Sequence, residues 1–400
     1  MIRSKIDMVQ ATLLTRQGRL AEAMALLQGK AFGASRLATA HSPASDTGDK
    51  TVGQQPFLDA VSPSRGSGQS WTIPTGGLEE SGTALKAPRG LLDRLRAFNS
   101  KDVVDGLLGR AIKPALPQLP DGAKFYDHSF SNGAGTRTYK LYVPSGYTGQ
   151  PLPLVVMLHG CTQSPDDFAA GTRMNELAEE QKFFVAYPAQ TQSANASKCW
   201  NWFSASDQRR DQGEPSLIAG ITRQIMKSFS VEARRVYIAG LSAGGAAAAV
   251  MGAAYPDLYA AIGVHSGLAC GAASDMPSAF AAMRTGSPST ISTQGVPTIV
   301  FHGDADTTVH PINGDQVAIQ GKAGLSLSST SKSGVAPGGV RYTRKIHFNE
   351  SGTILLEQWI LHDVGHAWSG GSSIGSYTEP RGPDASREMV RFFLEHSIRL

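Results

Sequence analysis

The sequence predicts an α/β fold, a mostly parallel β-sheet covered by helices on both faces. Two observations lead there. From about residue 124 onward strand-like and helix-like segments alternate, and several strand-like segments are continuous apolar runs. A run that is apolar at every position suits a strand buried on both faces, as in parallel sheets built with crossover helices.

In chain order, TRTYKLYVP alternates like a strand and PLVVMLHG is an uninterrupted apolar run. MNELAEEQK reads as a helix, FFVAYP as a strand, EPSLIAGITRQIMKSF as a helix and RRVYIAG as a strand. GGAAAAVMGAAYP is a helix and AAIGVHSG a strand; VPTIVFHG is another strand, followed by a looser stretch to about Gly339 assigned to the surface. RYTRKIHFN and TILLEQWIL, joined by Glu350, Ser351 and Gly352, read as two strands around a turn, and ASREMVRFFLEHS closes the chain as a helix.

Ahead of this domain (124–400) lies an extension that is helical and partly disordered by its composition. Residues 1–30 space Ile6, Leu13, Leu14, Leu20, Met24 and Leu27 as an amphipathic helical segment. Residues 31–89 are rich in Ser, Gly and Pro, cannot bury enough surface to offset chain entropy, and read as a flexible linker. Residues 90–123 form a short helical lead-in ending in PALPQLP.

With 41% hydrophobic and 18% charged residues, the 400-residue chain has the balance of a soluble globular protein. The net charge of +4 comes with no basic run interleaved with aromatics, which argues against a nucleic-acid partner. No stretch is long and apolar enough to form a transmembrane segment. Charges and glutamines interrupt every apolar run near the N-terminus, so no secretory signal is read and a cytoplasmic location is the default expectation. The amphipathic segment at residues 4–29 suggests association with a granule or membrane surface. Cys161, Cys199 and Cys270 are too few for a disulfide scaffold and lack zinc-site spacing.

The chemistry is concentrated in Gly240-Leu241-Ser242-Ala243-Gly244, between a strand and an Ala-rich helix. That context is the nucleophile elbow of an α/β-hydrolase, which presents the serine on a tight strand-to-helix turn. A structural Ser-Gly turn is the blander reading. A serine hydroxyl needs a base, and in this fold the chain order is Ser, then acid, then His. Asp306, fourth in Gly303-Asp304-Ala305-Asp306 after the strand VPTIVF, is the favoured acid; Asp304 is its competitor and could instead cap the loop. His366, in the loop after TILLEQWIL, is the favoured base; His362 continues the strand pattern and reads as structural. His159 and His302 sit at strand ends and read as loop braces, and His265 and His310 have no partner pattern. A metal centre on His362 and His366 is discounted, because Gly365 and the strand exit oppose a helix and no zinc-protease Glu lies between them. Neither a metal nor a cofactor is expected.

Acyl transfer also needs donors for the oxyanion. The amide of Ala243 is one; the second should come from the loop after PLVVMLHG, at Cys161 or Thr162.

PLVVMLHGCTQ, CWNWF, RVYIAGLSAGGAAA, VFHGDADTTV and GHAWSGG, in that order from about Lys124 to the C-terminus, together resemble the poly(3-hydroxybutyrate) depolymerase-type esterases, relatives of feruloyl and acetyl-xylan esterases. The resemblance implies hydrolysis of esters or polyesters through Ser242, Asp306 and His366, with Cys161 near the oxyanion hole. It also implies that Cys161 and Cys199 approach each other and can be bridged, against the alternative of two buried thiols. A bridge would favour an extracellular location over the default. Trp200, Trp202 and Trp368 are candidates to line a substrate cleft, with core packing as the alternative.

Overall fold

The computed structural model describes residues 119–289, 291 and 295–398. The expectations for residues 1–30, 31–89 and most of 90–123 fall outside the described residues. In chain order the elements are β1 (Lys124–Asn132), β2 (Gly135–Val143), β3 (Leu152–Leu158), α1 (Pro165–Thr172), α2 (Met174–Gln181) and β4 (Phe184–Pro188). Next come α3 (Gly213–Ser228), β5 (Val231–Leu241), α4 (Ala243–Ala254), β6 (Ala261–His265), α5 (Met276–Thr285) and β7 (Thr298–Gly303). The chain closes with α6 (Ile312–Lys322), β8 (Ser328–Val335), β9 (Arg341–Phe348), β10 (Ile354–Leu361), β11 (Trp368–Ser369), β12 (Thr378–Glu379) and α7 (Ala385–Leu394).

A 10-stranded sheet runs in the order β1-β2-β4-β3-β5-β6-β7-β10-β9-β8. Its centre, from β4 to β10, is parallel; β1, β2, β9 and β8 join antiparallel at the two margins. The continuous apolar run of β3 is explained by its two faces. Leu154, Val156 and Leu158 pack with Ile218 and Ile221 of α3 and the alanines of α4, whereas Val155 and Met157 pack with Phe168 of α1, Leu177 of α2 and Phe392 of α7. Small residues bring α4 close to the sheet: ten of its residues, Ala243 to Gly252, are buried. The helix ends follow local chemistry, with Ser164 capping α1 ahead of Pro165, and Asp275 forming a capping box on α5. Among the described residues no helix is long and apolar enough to cross a membrane.

The looser surface stretch before Gly339 is corrected in part, since it contains α6 and β8. In β8, SSTSKSGV is polar on both faces and gives no periodicity. Its strand neighbour among the described residues is β9, to which an antiparallel ladder joins it at the sheet margin. β1 and α5 likewise lack a strong pattern, and pairing and capping define them.

Candidate active site

β5 ends at Leu241 and α4 starts at Ala243, so Ser242 alone makes the turn. Its φ of 59° and ψ of −120° are a combination that side chains rarely adopt, costing about 1–3 kcal/mol. The surroundings hold it there. The Ser242 amide donates to the His265 carbonyl at 2.9 Å, and its own carbonyl accepts from the Ala246 amide at 2.9 Å. Glycine is required on both sides: a Cβ on Gly240 would lie 2.6 Å from the Leu158 carbonyl oxygen, and one on Gly244 would overlap that same atom.

Two Asp–His pairs stand side by side beyond β7 and β10. Oδ2 of Asp306 lies 2.7 Å from Nδ1 of His366, and Oδ2 of Asp304 lies 2.8 Å from Nδ1 of His362. The two histidines are therefore divided between separate carboxylates. His362 also contacts the Thr343 hydroxyl through Nε2 at 2.9 Å, so both its ring nitrogens are engaged. Nε2 of His366 has no hydrogen-bond partner among the described residues, and neither does the Ser242 hydroxyl, so no bond joins them in this structure. Contacts of this kind commonly tighten only with substrate. The pair that the sequence favours, Asp306 and His366, thus differs from Asp304 and His362 at the far ring nitrogen, which is engaged in His362 and without a partner in His366.

Parallel strands bring these loops to one edge. β5, β6, β7 and β10 are neighbours, and Ser242, Asp306 and His366 all follow C-terminal strand ends. His265, at the end of β6, links them: its carbonyl holds Ser242, and its Nε2 accepts from the Ser369 amide at 3.0 Å. Its ring stacks on Phe301 and Trp368. Burial, together with nearby His302 and His366, pushes its pKa well down, so it braces as a neutral ring.

Asp306 is buried, and Oδ1 accepts from the Thr308 and Val309 amides, both at 2.9 Å. Burial alone would raise its pKa. Hydrogen bonding from His302 and His366, with their charge, outweighs it and holds the carboxyl well below the ordinary range. His302 places Nε2 2.8 Å from the Val309 carbonyl and 3.5 Å from Asp306 Oδ2.

The loop after β3 lies against Ser242: a Cβ on Gly160 would be 3.6 Å from that of Ser242. In this loop the Thr162 amide is already used, donating to the Ser197 carbonyl at 2.7 Å. Among the described residues the amides of Cys161 and Ala243 donate to nothing. Between the two positions that the sequence left open, Cys161 therefore keeps the available donor. Cys161 and Cys199 are joined by a disulfide. Gln163 accepts from the Gly160 amide at 2.9 Å, and His159 accepts from the Gln190 amide at 3.1 Å. Burial lowers the pKa of His159 to about 4, which keeps it a neutral acceptor. Beneath them Glu214 binds Gln190 and takes the Asn201 amide at 2.7 Å; burial raises its pKa.

The tryptophans are core residues, which corrects their reading as cleft lining. Trp200 is fully buried and donates to the His159 carbonyl at 3.1 Å; Trp368 is fully buried and donates to Ser386 at 3.0 Å. Trp202 is 6% exposed and packs edge-on against Phe203. The sequence reading gave no role to His265, Gln163, Gln190 and Glu214, and apart from Gly160 beside Gln163 the partners described above lie on other segments and leave no local pattern. A groove of about 940 Å³ between the β1–β2 turn and α3 shares no residue with this constellation.

Residues 137–328 match the family model described as esterase PHB depolymerase. Over 252 residues the chain is 32% identical to poly(3-hydroxyalkanoate) depolymerase C of Paucimonas lemoignei, covering 60% of this chain and 60% of that protein. It is 31% identical over 204 residues to acetylxylan esterase A of Talaromyces purpureogenus, covering 46% of this chain and 52% of that protein. The solved acetyl xylan esterase from Aspergillus awamori superposes with a TM-score of 0.53 at 20% identity, covering 68% of this chain and 99% of that one, a likeness of fold. The chain thus spans about half to three-fifths of the length of these curated relatives. Its matched segment is similar to the PHB depolymerase-type esterases, and the fold is the α/β-hydrolase fold.

Proposed function

We propose that this chain hydrolyses carboxylic esters through an acyl-enzyme on Ser242. His366 takes the hydroxyl proton through Nε2 and returns it to the leaving alcohol; Asp306 fixes the tautomer and stabilises the imidazolium. The amides of Cys161 and Ala243 receive the oxyanion. Water then attacks the acyl-enzyme along the same route, regenerating the serine. The observation that carries this reading is the Asp306–His366 contact of 2.7 Å at the strand edge that also bears Ser242.

The relative from Paucimonas lemoignei supports hydroxyalkanoate oligomers or polyesters as the substrate class. The acetylxylan esterase relative supports acetyl esters as a second reading. The Cys161–Cys199 bridge supports work in an oxidising compartment. Turnover of a short-chain nitrophenyl ester tests the chemistry: Ser242→Ala should lower kcat on the order of 10⁴-fold or more with the fold intact. A side-by-side panel of hydroxybutyrate oligomer, acetyl and feruloyl esters ranks the substrates.

A further inference from the structure

Thr162 and Tyr377 both have positive φ, 67° and 54°, and neither is a glycine. For a β-branched and an aromatic side chain that backbone is strained, and such residues persist where the surroundings force them. The two meet: their hydroxyl oxygens are 3.3 Å apart, although 215 positions separate them in the chain. Tyr377 also anchors to the other side of the site, its carbonyl accepting from the Trp368 amide at 2.7 Å. Trp368 is two residues beyond His366, and Thr162 directly follows Cys161. Tyr377 therefore ties the two loops together, its backbone carbonyl on the loop after His366 and its phenol on the loop after Cys161, and the residue remains 42% exposed.

The hydrogens of this pair can be assigned. Thr162 Oγ1 donates to the Cys161 carbonyl at 2.6 Å, so its proton is committed. The contact between the two hydroxyls then has Tyr377 donating to Thr162, which leaves the phenolic oxygen as an open acceptor toward solvent. An acceptor at that place suits a hydroxyl donor on the substrate, and in the hydroxyalkanoate reading that hydroxyl is on the acyl group.

Resting on the esterase reading above, we propose that Tyr377, oriented by Thr162, accepts a hydrogen bond from a hydroxyl of the acyl group and selects hydroxyacyl esters over unsubstituted ones. The test compares kcat/KM for 4-nitrophenyl 3-hydroxybutyrate and 4-nitrophenyl butyrate, which differ by that hydroxyl alone. Tyr377→Phe should lower the hydroxybutyrate-to-butyrate ratio about three- to tenfold, the worth of one such hydrogen bond. Thr162→Val should lower it in the same direction, and Thr162→Ser should restore it. An unchanged ratio in Tyr377→Phe, with circular dichroism and Tm as in the parent chain and Ser242→Ala inactive on both esters, overturns this inference alone. Activity retained by Ser242→Ala on either ester overturns the esterase reading itself, and this inference with it.

Discussion

Asp306 accepts a hydrogen bond of 2.7 Å from Nδ1 of His366, while two residues earlier Asp304 does the same for His362 at 2.8 Å. The local geometry is nearly the same, so the pairs differ in what lies at the far nitrogen. Asp306→Asn should cost on the order of a thousandfold in kcat, because the imidazole loses its tautomer and its counter-charge. Asp304→Asn, at a half-exposed pair, should stay within about threefold of the parent. Steady-state kinetics on one ester separates them, and equal losses would mean the roles are misassigned.

The elbow makes a steric prediction. Gly244→Ala drives a Cβ into the Leu158 carbonyl, whereas Gly133→Ala meets nothing within 4 Å. The first should cost about 3 kcal/mol, a Tm drop of roughly 6–12 °C. The second should change stability by less than about 0.5 kcal/mol. Thermal melts of both variants check the contrast.

The disulfide ties the oxyanion loop to the loop bearing Trp200 and closes a span of 38 residues. Its removal by Cys199→Ser should cost about 4 kcal/mol of stability through the unfolded chain's regained freedom. It should also lower kcat by about tenfold or more, as the Cys161 amide loses its fixed aim. Urea titration and kinetics, with and without reductant, measure the two effects. If both are unchanged, the bridge is idle.

Acid should weaken the fold in two stages. His159, with an ordinary value of 6.5, is held near 4 by burial in the native state. The unfolded chain therefore takes up the proton first, so stability is full above about pH 6.5 and falls as pH drops toward 4, by about 3 kcal/mol. Asp306 runs through a lower window: its depressed pKa stabilises the fold above its ordinary 3.8, and that contribution is lost as pH falls further. Urea unfolding at pH 7.5 and 4.5 should show the first loss, to which buried His265 contributes with the same sign, and His159→Gln should reduce it. A slope unchanged in the variant assigns the loss to His265 and other groups.

Much of this was legible in the sequence because it is local. The strand at Leu152–Leu158 and the strand-to-helix turn at Ser242 each leave a contiguous signature. What escaped is tertiary. Asp304 and Asp306 sit in one loop, and only the partners of His362 and His366 tell them apart. Tryptophan beside an active-site motif reads the same whether it faces a cleft or the core, and Trp200 and Trp368 went to the core. Glu214 and His265 act through bonds to distant loops, and the polar strand β8 exists by virtue of its neighbour β9.

The most direct measurement is covalent trapping. Incubation with a fluorophosphonate, followed by intact mass and peptide mapping, should give one adduct on Ser242, lost in Ser242→Ala and strongly slowed in His366→Ala. An adduct on another residue, or ester turnover that survives with Ser242 unmodified, would contradict the account.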